Sequence, residues 1–342
     1  SLRWTDTLFN LEMVDERLVG QARTIFQDGS VANAKVTVEQ FGDLSSSWQE
    51  LPLAGEIVFD VKDLSTLALL SNYTVAPTGA LQGEFAIGGV VGNPRLSGEL
   101  RQIKGNIFIP ATGITLEELL LSIKPNQEGQ GMHVVLDAVS GPGKLQVKGD
   151  INREQEQWQV DAMISGQDFQ AVHLPEYEII IDPDLHFIFR DEIMHLTGQV
   201  VVPRAVITIK EFDSALTASR DVIIVDSDDT SEKSRKIDPP LFISVLVEMG
   251  QDVRIDSFGL QGRVAGSVMV KDGPGMPLTG KGSLVLHDGI FVLKNRPLAI
   301  SRGRFFYTDS PLDNPAIDVL AEKKTKKKTV GVIASGTVSD ME

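Results

Sequence analysis

Cysteine is absent from all 342 residues, which rules out disulfides, thiolate metal sites and cysteine nucleophiles. No run of 18 apolar residues occurs and no signal peptide leads the chain, so no segment reads as a membrane-spanning helix or a secretory leader. Aromatic residues make up only 6%, so any apolar surface must be built from Val, Ile, Leu and Ala. Positive charge is also scarce: 32 Lys and Arg stand against 47 Asp and Glu, a net charge of −15. Nucleic acid and anionic membrane surfaces both require a cationic face, so this balance argues against both as partners held by charge. The one basic cluster, Lys323, Lys324, Lys326, Lys327 and Lys328, reads as a solvated run. The sequence opens on Ser1 and stops at Glu342 inside the strand-like VGVIASGTVS, which reads as a piece of a longer protein.

Catalytic signatures are missing too. None of the five histidines, His133, His173, His186, His195 and His287, pairs with another at a metal-ligand spacing. His186 and His287 alternate with apolar neighbours and read as solvent-side residues. There is no G-x-S-x-G elbow and no phosphate-binding loop. Gly88–Gly92 is glycine-rich, but no helix follows it, so it reads as a turn. The acidic pairs Glu117–Glu118 and Asp191–Glu192 are adjacent in sequence and cannot converge on one substrate. The acidic interval Asp226–Pro240 lacks the glycine and spaced carboxylates of a calcium loop and reads as a mobile loop. These observations point to a non-enzymatic protein without metal or cofactor.

What the sequence does contain is alternation. In Leu196–Val225 apolar side chains recur at Val200 and Val202, then at Ala205, Ile207 and Ile209, with a further apolar run at Asp221–Val225. A period of two marks a strand with one greasy face. Pro203 has no N–H to give a ladder, so it belongs at a strand end, a bulge or a sheet edge. The same pattern fills Lys144–Asn152, Trp158–Ser165, Leu241–Met249, Val253–Phe258 and Val264–Lys271. Turns are expected at Gly250, Gly262, Gly273–Gly275 and Gly303. Ile103–Pro110 repeats Leu196–Pro203 class by class. Two short helices are expected, Asp63–Ser71 and Thr115–Ser122, each opened by a capping residue. Roughly twenty strands in all make this an all-β chain.

A sheet with one apolar face must cover it, and with so few helices the cover is a second sheet, the same sheet curled round, or a ligand. The pattern alone fits a closed sandwich or barrel. The scarcity of aromatics and the great length of apolar-faced strand fit an open, curled sheet. A repeat-type solenoid or adhesin would need regular turn spacing, which is lacking.

The blocks Gln199–Ile207, Ser219–Asp226, Leu241–Glu248, Asp252–Val270, Gly280–Leu284, Asp288–Gly289, Ile300–Tyr307 and Asn314–Asp318 together resemble the C-terminal domain of the TamB family. The resemblance implies a periplasmic, inner-membrane-anchored component of the translocation and assembly module, partnered with the outer-membrane barrel protein TamA. It also implies a role in outer-membrane and autotransporter assembly, a kinship with bridge-type lipid transporters, and an elongated antiparallel or mixed sheet curled into a U-shaped, taco-like apolar groove. On that basis 1–195 is expected to be a groove-forming segment and 196–342 a TamB-type domain continuous with it. The expected cargo is phospholipid, or else a nascent outer-membrane strand. The expected lining is the apolar side of the clearest strands: Leu145, Val147, Val160, Ile164, Val200, Val202, Ile207, Ile209, Ile243, Val245, Val247, Val253, Ile255, Val264, Val268 and Val270.

Overall fold

The computed structural model describes residues 4–26, 28–42, 47–63, 78–103, 106–126, 131–154, 157–209, 239–257, 259–293, 296–324 and 328–341. Twenty-one strands account for nearly all of them. The first nine are β1 (Trp4–Val14), β2 (Arg17–Phe26), β3 (Val31–Val38), β4 (Leu53–Val61), β5 (Ala80–Val90), β6 (Asn93–Ile103), β7 (Asn106–Ile109), β8 (Ile114–Pro125) and β9 (Gly131–Ser140). The next six are β10 (Gly143–Glu154), β11 (Gln157–Gln167), β12 (Phe169–His173), β13 (Tyr177–Arg190), β14 (Ile193–Ile209) and β15 (Leu241–Ser257). The last six are β16 (Leu260–Gly273), β17 (Met276–Leu293), β18 (Arg296–Pro311), β19 (Ala316–Lys324), β20 (Thr329–Thr337) and β21 (Asp340–Met341). The only helical element among the described residues is one 3-10 turn, Trp48–Glu50.

Strands adjacent in sequence pair side by side, so the chain forms a single open sheet running from β1 to β21. β7 carries on the line of β6 against β8, and β12 carries on the line of β11 against β13. Every pairing is antiparallel except β14 with β15, which is parallel over the whole length of both strands. The sheet is therefore mixed. Tight turns make most of the reversals. Asp15–Glu16 and Asp191–Glu192 both take positive φ at two successive residues, the type I′ geometry whose twist matches a hairpin. The second of these acidic pairs is thus a turn.

The sheet is a single layer. A compact monomer of 37.2 kDa exposes about 14,000 Å², whereas this chain exposes 22,909 Å². Among the described residues β1 pairs only with β2 and β21 only with β20, within one sheet, so the sheet is open and is not the closed sandwich or barrel that the alternation also fitted.

A line of register shifts crosses successive strands at one level: at Ile181 in β13, Pro203 in β14, Gly250–Val253 in β15, Gly262 in β16 and Ser301 in β18. Bulges bend a strand and increase its twist, so an aligned row of them creases the whole sheet. The buried cluster Val202, Ala205 and Val253 sits on this crease, packed by Ile179, Ile181, Val200, Val247, Met249 and Val264. Pro203 takes the bulge option and not the edge, because both neighbours of β14 are present. Gly250, Gly262 and Gly303 correct the sequence reading. They lie inside long strands, whereas Gly273–Gly275 joins β16 to β17 and the end of the expected Gly88–Gly92 turn joins β5 to β6. At Gly250 the reason is close approach: a Cβ there would stand 2.8 Å from the Pro203 Cα and 2.9 Å from the Val202 oxygen.

The expected helix Thr115–Ser122 is also wrong, since it lies within strand β8. The register slips between Glu117 and Leu120, with Glu118 at a φ of 50°. One inserted residue breaks the period of two and leaves leucines at helix-like spacings. Of the other expected helix, residues 64–71 lie outside the described residues. So do Asp221–Val225 and 226–238 of the acidic interval.

Candidate functional site: the apolar face

Following the pairing register sideways across the sheet shows what the alternation builds. One rung runs Leu100, Leu121, Leu136, Val147, Ile164, Leu185, Gly198, Val245, Val270 and Gly280, through ten strand positions from β6 to β17. At about 4.8 Å per strand that is roughly 43 Å of apolar surface, aliphatic at eight positions and glycine at two. A second rung runs Pro183, Val200, Val247, Val268, Gly282 and Tyr307. A third runs Val202, Met249, Gly266, Leu284, Phe305 and Ile317.

Fifteen of the sixteen residues singled out from the sequence fall on this one face. Leu145 pairs with Ala138, and Val160 lies between Ile151 and Phe189. Leu196 pairs with Ile243, Ala205 with Val253, and Ile207 with Ile255, while Val264 packs on the crease cluster. The sixteenth, Ile209, pairs in register with Ser257. Of the fifteen, Val202, Val245, Val253 and Val268 are buried and the other eleven half-buried. The sequence reading missed Leu121, Leu136 and Leu185, which bridge the gaps between the chosen residues. Their own alternation could have flagged them, once Thr115–Ser122 is read as strand.

The opposite face is polar and tied across the strands. Arg204 and Arg254 both reach Asp252, at 3.8 and 2.6 Å. Arg263 forks onto Asp288 and holds its carboxyl below the usual carboxylate range. His133 meets Asp150 at 3.1 Å and His186 meets Asp161 at 2.7 Å, which relieves two aspartates placed directly opposite each other. His186 is therefore on the solvent side, as expected. A concavity of about 720 Å³ on this side is lined by Lys124, His133, Asp150, Asp161 and Arg190 among others. With that charged lining it suits water, not hydrocarbon.

The apolar face is the inside of the curl. Pro94 and Arg95 at the start of β6 line the same cavity as Arg153 and Trp158 at the β10–β11 hairpin. Four strand spacings separate β6 from β11, about 19 Å in a flat sheet. Only a sheet curled towards the Met132, Ile151 and Trp158 side brings these ends together. Among the described residues, no three His, Asp or Glu side chains gather as a metal site would need.

One layer, curled, greasy within and charged without, defines an open β-trough. The TamB C-terminal domain family matches residues 133–342, more than half of the chain. The chain belongs to the TamB family, whose members serve in the translocation and assembly module in association with TamA. A periplasmic setting fits this domain. Among the described residues no helix is long and apolar enough to cross a membrane.

Proposed function

We propose that the curled face is a conduit for phospholipid acyl chains between the inner and outer membranes, with segments 1–195 and 196–342 acting as one trough. The observation that carries this reading is the ten-strand aliphatic rung. Burying a methylene against such a surface gains about 0.8 kcal/mol, and the gain is nearly the same at each step along the rung. A chain sliding along it meets no deep trap and no polar barrier. The ion pairs of the opposite face keep the outside wet, and the full-length protein would be tethered at the inner membrane.

The test is site-specific photocrosslinking at Val147 and Ile164, followed by mass spectrometry of the adduct. Both residues are only half-buried, so a substitution there spares the crease. The expected result is covalently attached phospholipid at both, with the Val147 adduct abolished by Ile164→Asp in a chain whose melting temperature is unchanged. Protein recovered without lipid, and no lipid adduct at either position, would sink the conduit.

A second reading is favoured by one feature. The outer edge of β1 pairs with no strand among the described residues, and Phe9 and Leu11 on it are 74% and 58% exposed. Such an edge can add a strand, so the sheet could instead hold a nascent outer-membrane strand and pass it to TamA. That reading predicts adducts to a client protein from β1, insensitive to Ile164→Asp.

A further inference from the structure

At one end of the apolar face the starts of β6, β9 and β11 and the end of β10 enclose a notch of about 60 Å³. Pro94, Met132 and Ile151 give it an apolar floor, and Arg95, Arg153 and Trp158 form its rim. The Arg153 guanidinium carbon lies 5.8 Å from the Trp158 ring centroid, within cation–π range. Trp158 itself is 51% exposed.

Of the twelve described arginines six have a carboxylate partner, and these two are among the six that have none. Arg17, Arg101, Arg204, Arg254, Arg263 and Arg302 each face a carboxylate. Arg95 and Arg153 make no ion pair or hydrogen bond among the described residues. The nearby Glu154 is engaged by Gln159 at 3.1 Å instead. In a chain of net charge −15, two cations left without anions beside an apolar floor are complementary to an amphiphile that is anionic at one end and hydrocarbon at the other. Guanidinium groups match phosphate oxygens in geometry as well as charge. An indole belongs where one side is greasy and the other wet.

We propose that Arg95, Arg153 and Trp158 form a headgroup clamp that holds the phosphodiester of a phospholipid while its acyl chains lie on the apolar face. The proposal rests on the acyl-chain reading given above and adds a place where the lipid enters, leaves or pauses. It gives the trough a preference for phosphate-bearing lipids that an aliphatic lining alone cannot supply.

The test uses the whole 342-residue chain and three ligands: phosphatidylglycerol with a fluorescent acyl chain, the matching labelled diacylglycerol, and glycerophosphate without chains. Wild type is expected to hold the phospholipid roughly tenfold better than the diacylglycerol. Arg95→Gln/Arg153→Gln is expected to bring the two lipids within about twofold while diacylglycerol binding stays the same, and Arg95→Lys/Arg153→Lys to restore part of the preference. Glycerophosphate is expected not to displace bound phospholipid. Equal binding of the two lipids by wild type, or an undiminished preference in the Gln variant, would overturn the clamp and leave the conduit standing. Displacement by glycerophosphate would mark a free phosphate-ester site, which also overturns it. Binding of neither lipid by wild type would sink the conduit and the clamp together. All three side chains are exposed, so the variants fold, and an unchanged thermal melt verifies it.

Discussion

Replacing Gly198 by alanine tests the curl directly. Gly198 sits in the middle of the longest aliphatic rung, opposite Leu185, at a φ of +129°. A Cβ there would come 2.3 Å from the Asp184 carbonyl oxygen and 2.9 Å from the Leu185 Cα. Both are backbone atoms of β13, so no side-chain rotation relieves the clash. Holding a side chain at that φ costs on the order of 1–3 kcal/mol. Pushing β13 away weakens neighbouring ladder bonds worth about 1 kcal/mol each. Together these give a local loss of about 3–4 kcal/mol. A long sheet of nearest-neighbour pairings need not unfold all at once, so the assay should be local. Hydrogen exchange of the β13 and β14 amides should speed up on the order of 10²–10³-fold, with β2 and β3 unaffected. The control is Gly88→Ala, where a Cβ meets nothing within 4 Å. There the stiffer unfolded chain should leave stability unchanged or raise it by about 0.4–1 kcal/mol. If Gly198→Ala matched Gly88→Ala, the close approach of β13 and β14 and the bend it permits would both be refuted.

Three further outcomes can be measured. Val253→Ala, at a site 3% exposed on the crease, should cost about 2 kcal/mol by denaturant unfolding, whereas Val330→Ala, 62% exposed, should cost under about 0.5 kcal/mol. Arg263→Ala should raise the Asp288 carboxyl pKa towards the ordinary carboxylate range, followed by NMR titration. The Asp288 pKa is depressed in the fold, so its contribution is present above the unfolded value and lost as pH falls through the folded value; the variant should therefore show a smaller acid dependence below about pH 4. Burial raises the Tyr307 phenol pKa above its usual value of 10.0. Its contribution is then complete below about pH 10 and lost as pH rises through the raised pKa. Tyr307→Phe should flatten that alkaline fall in melting temperature, and an unchanged fall would refute it.

The alternation of apolar and polar residues announced the strands and the greasy face, because a half-buried strand writes its two faces directly into sequence at period two. That legibility failed wherever a bulge inserted a residue. Thr115–Ser122 took on a helical spacing, and Gly250, Gly262 and Gly303 looked like turns, because a glycine needed for close approach looks the same as one needed for reversal. Pro203 signalled an irregularity without saying which kind. That the sheet curls was legible from the scarcity of aromatics and from the family resemblance, but where it creases was not, since the crease arises from bulges lining up across strands far apart in sequence. Nor was the notch, whose Arg95 and Trp158 lie 63 positions apart and meet only after the sheet has bent.

The order of the strands has a last consequence, for length. Apart from the parallel joint of β14 and β15, the sheet grows by hairpins added at an edge, and each one carries the apolar rungs forward by two strand spacings. β7 and β12 continue existing lines, so the 21 strands make a ribbon of roughly 85 Å measured across the strands. Inserting or deleting one hairpin would change that distance by about 10 Å while leaving the greasy and wet faces where they are. A molecule built this way can be lengthened or shortened by counting hairpins, with no redesign of its lining.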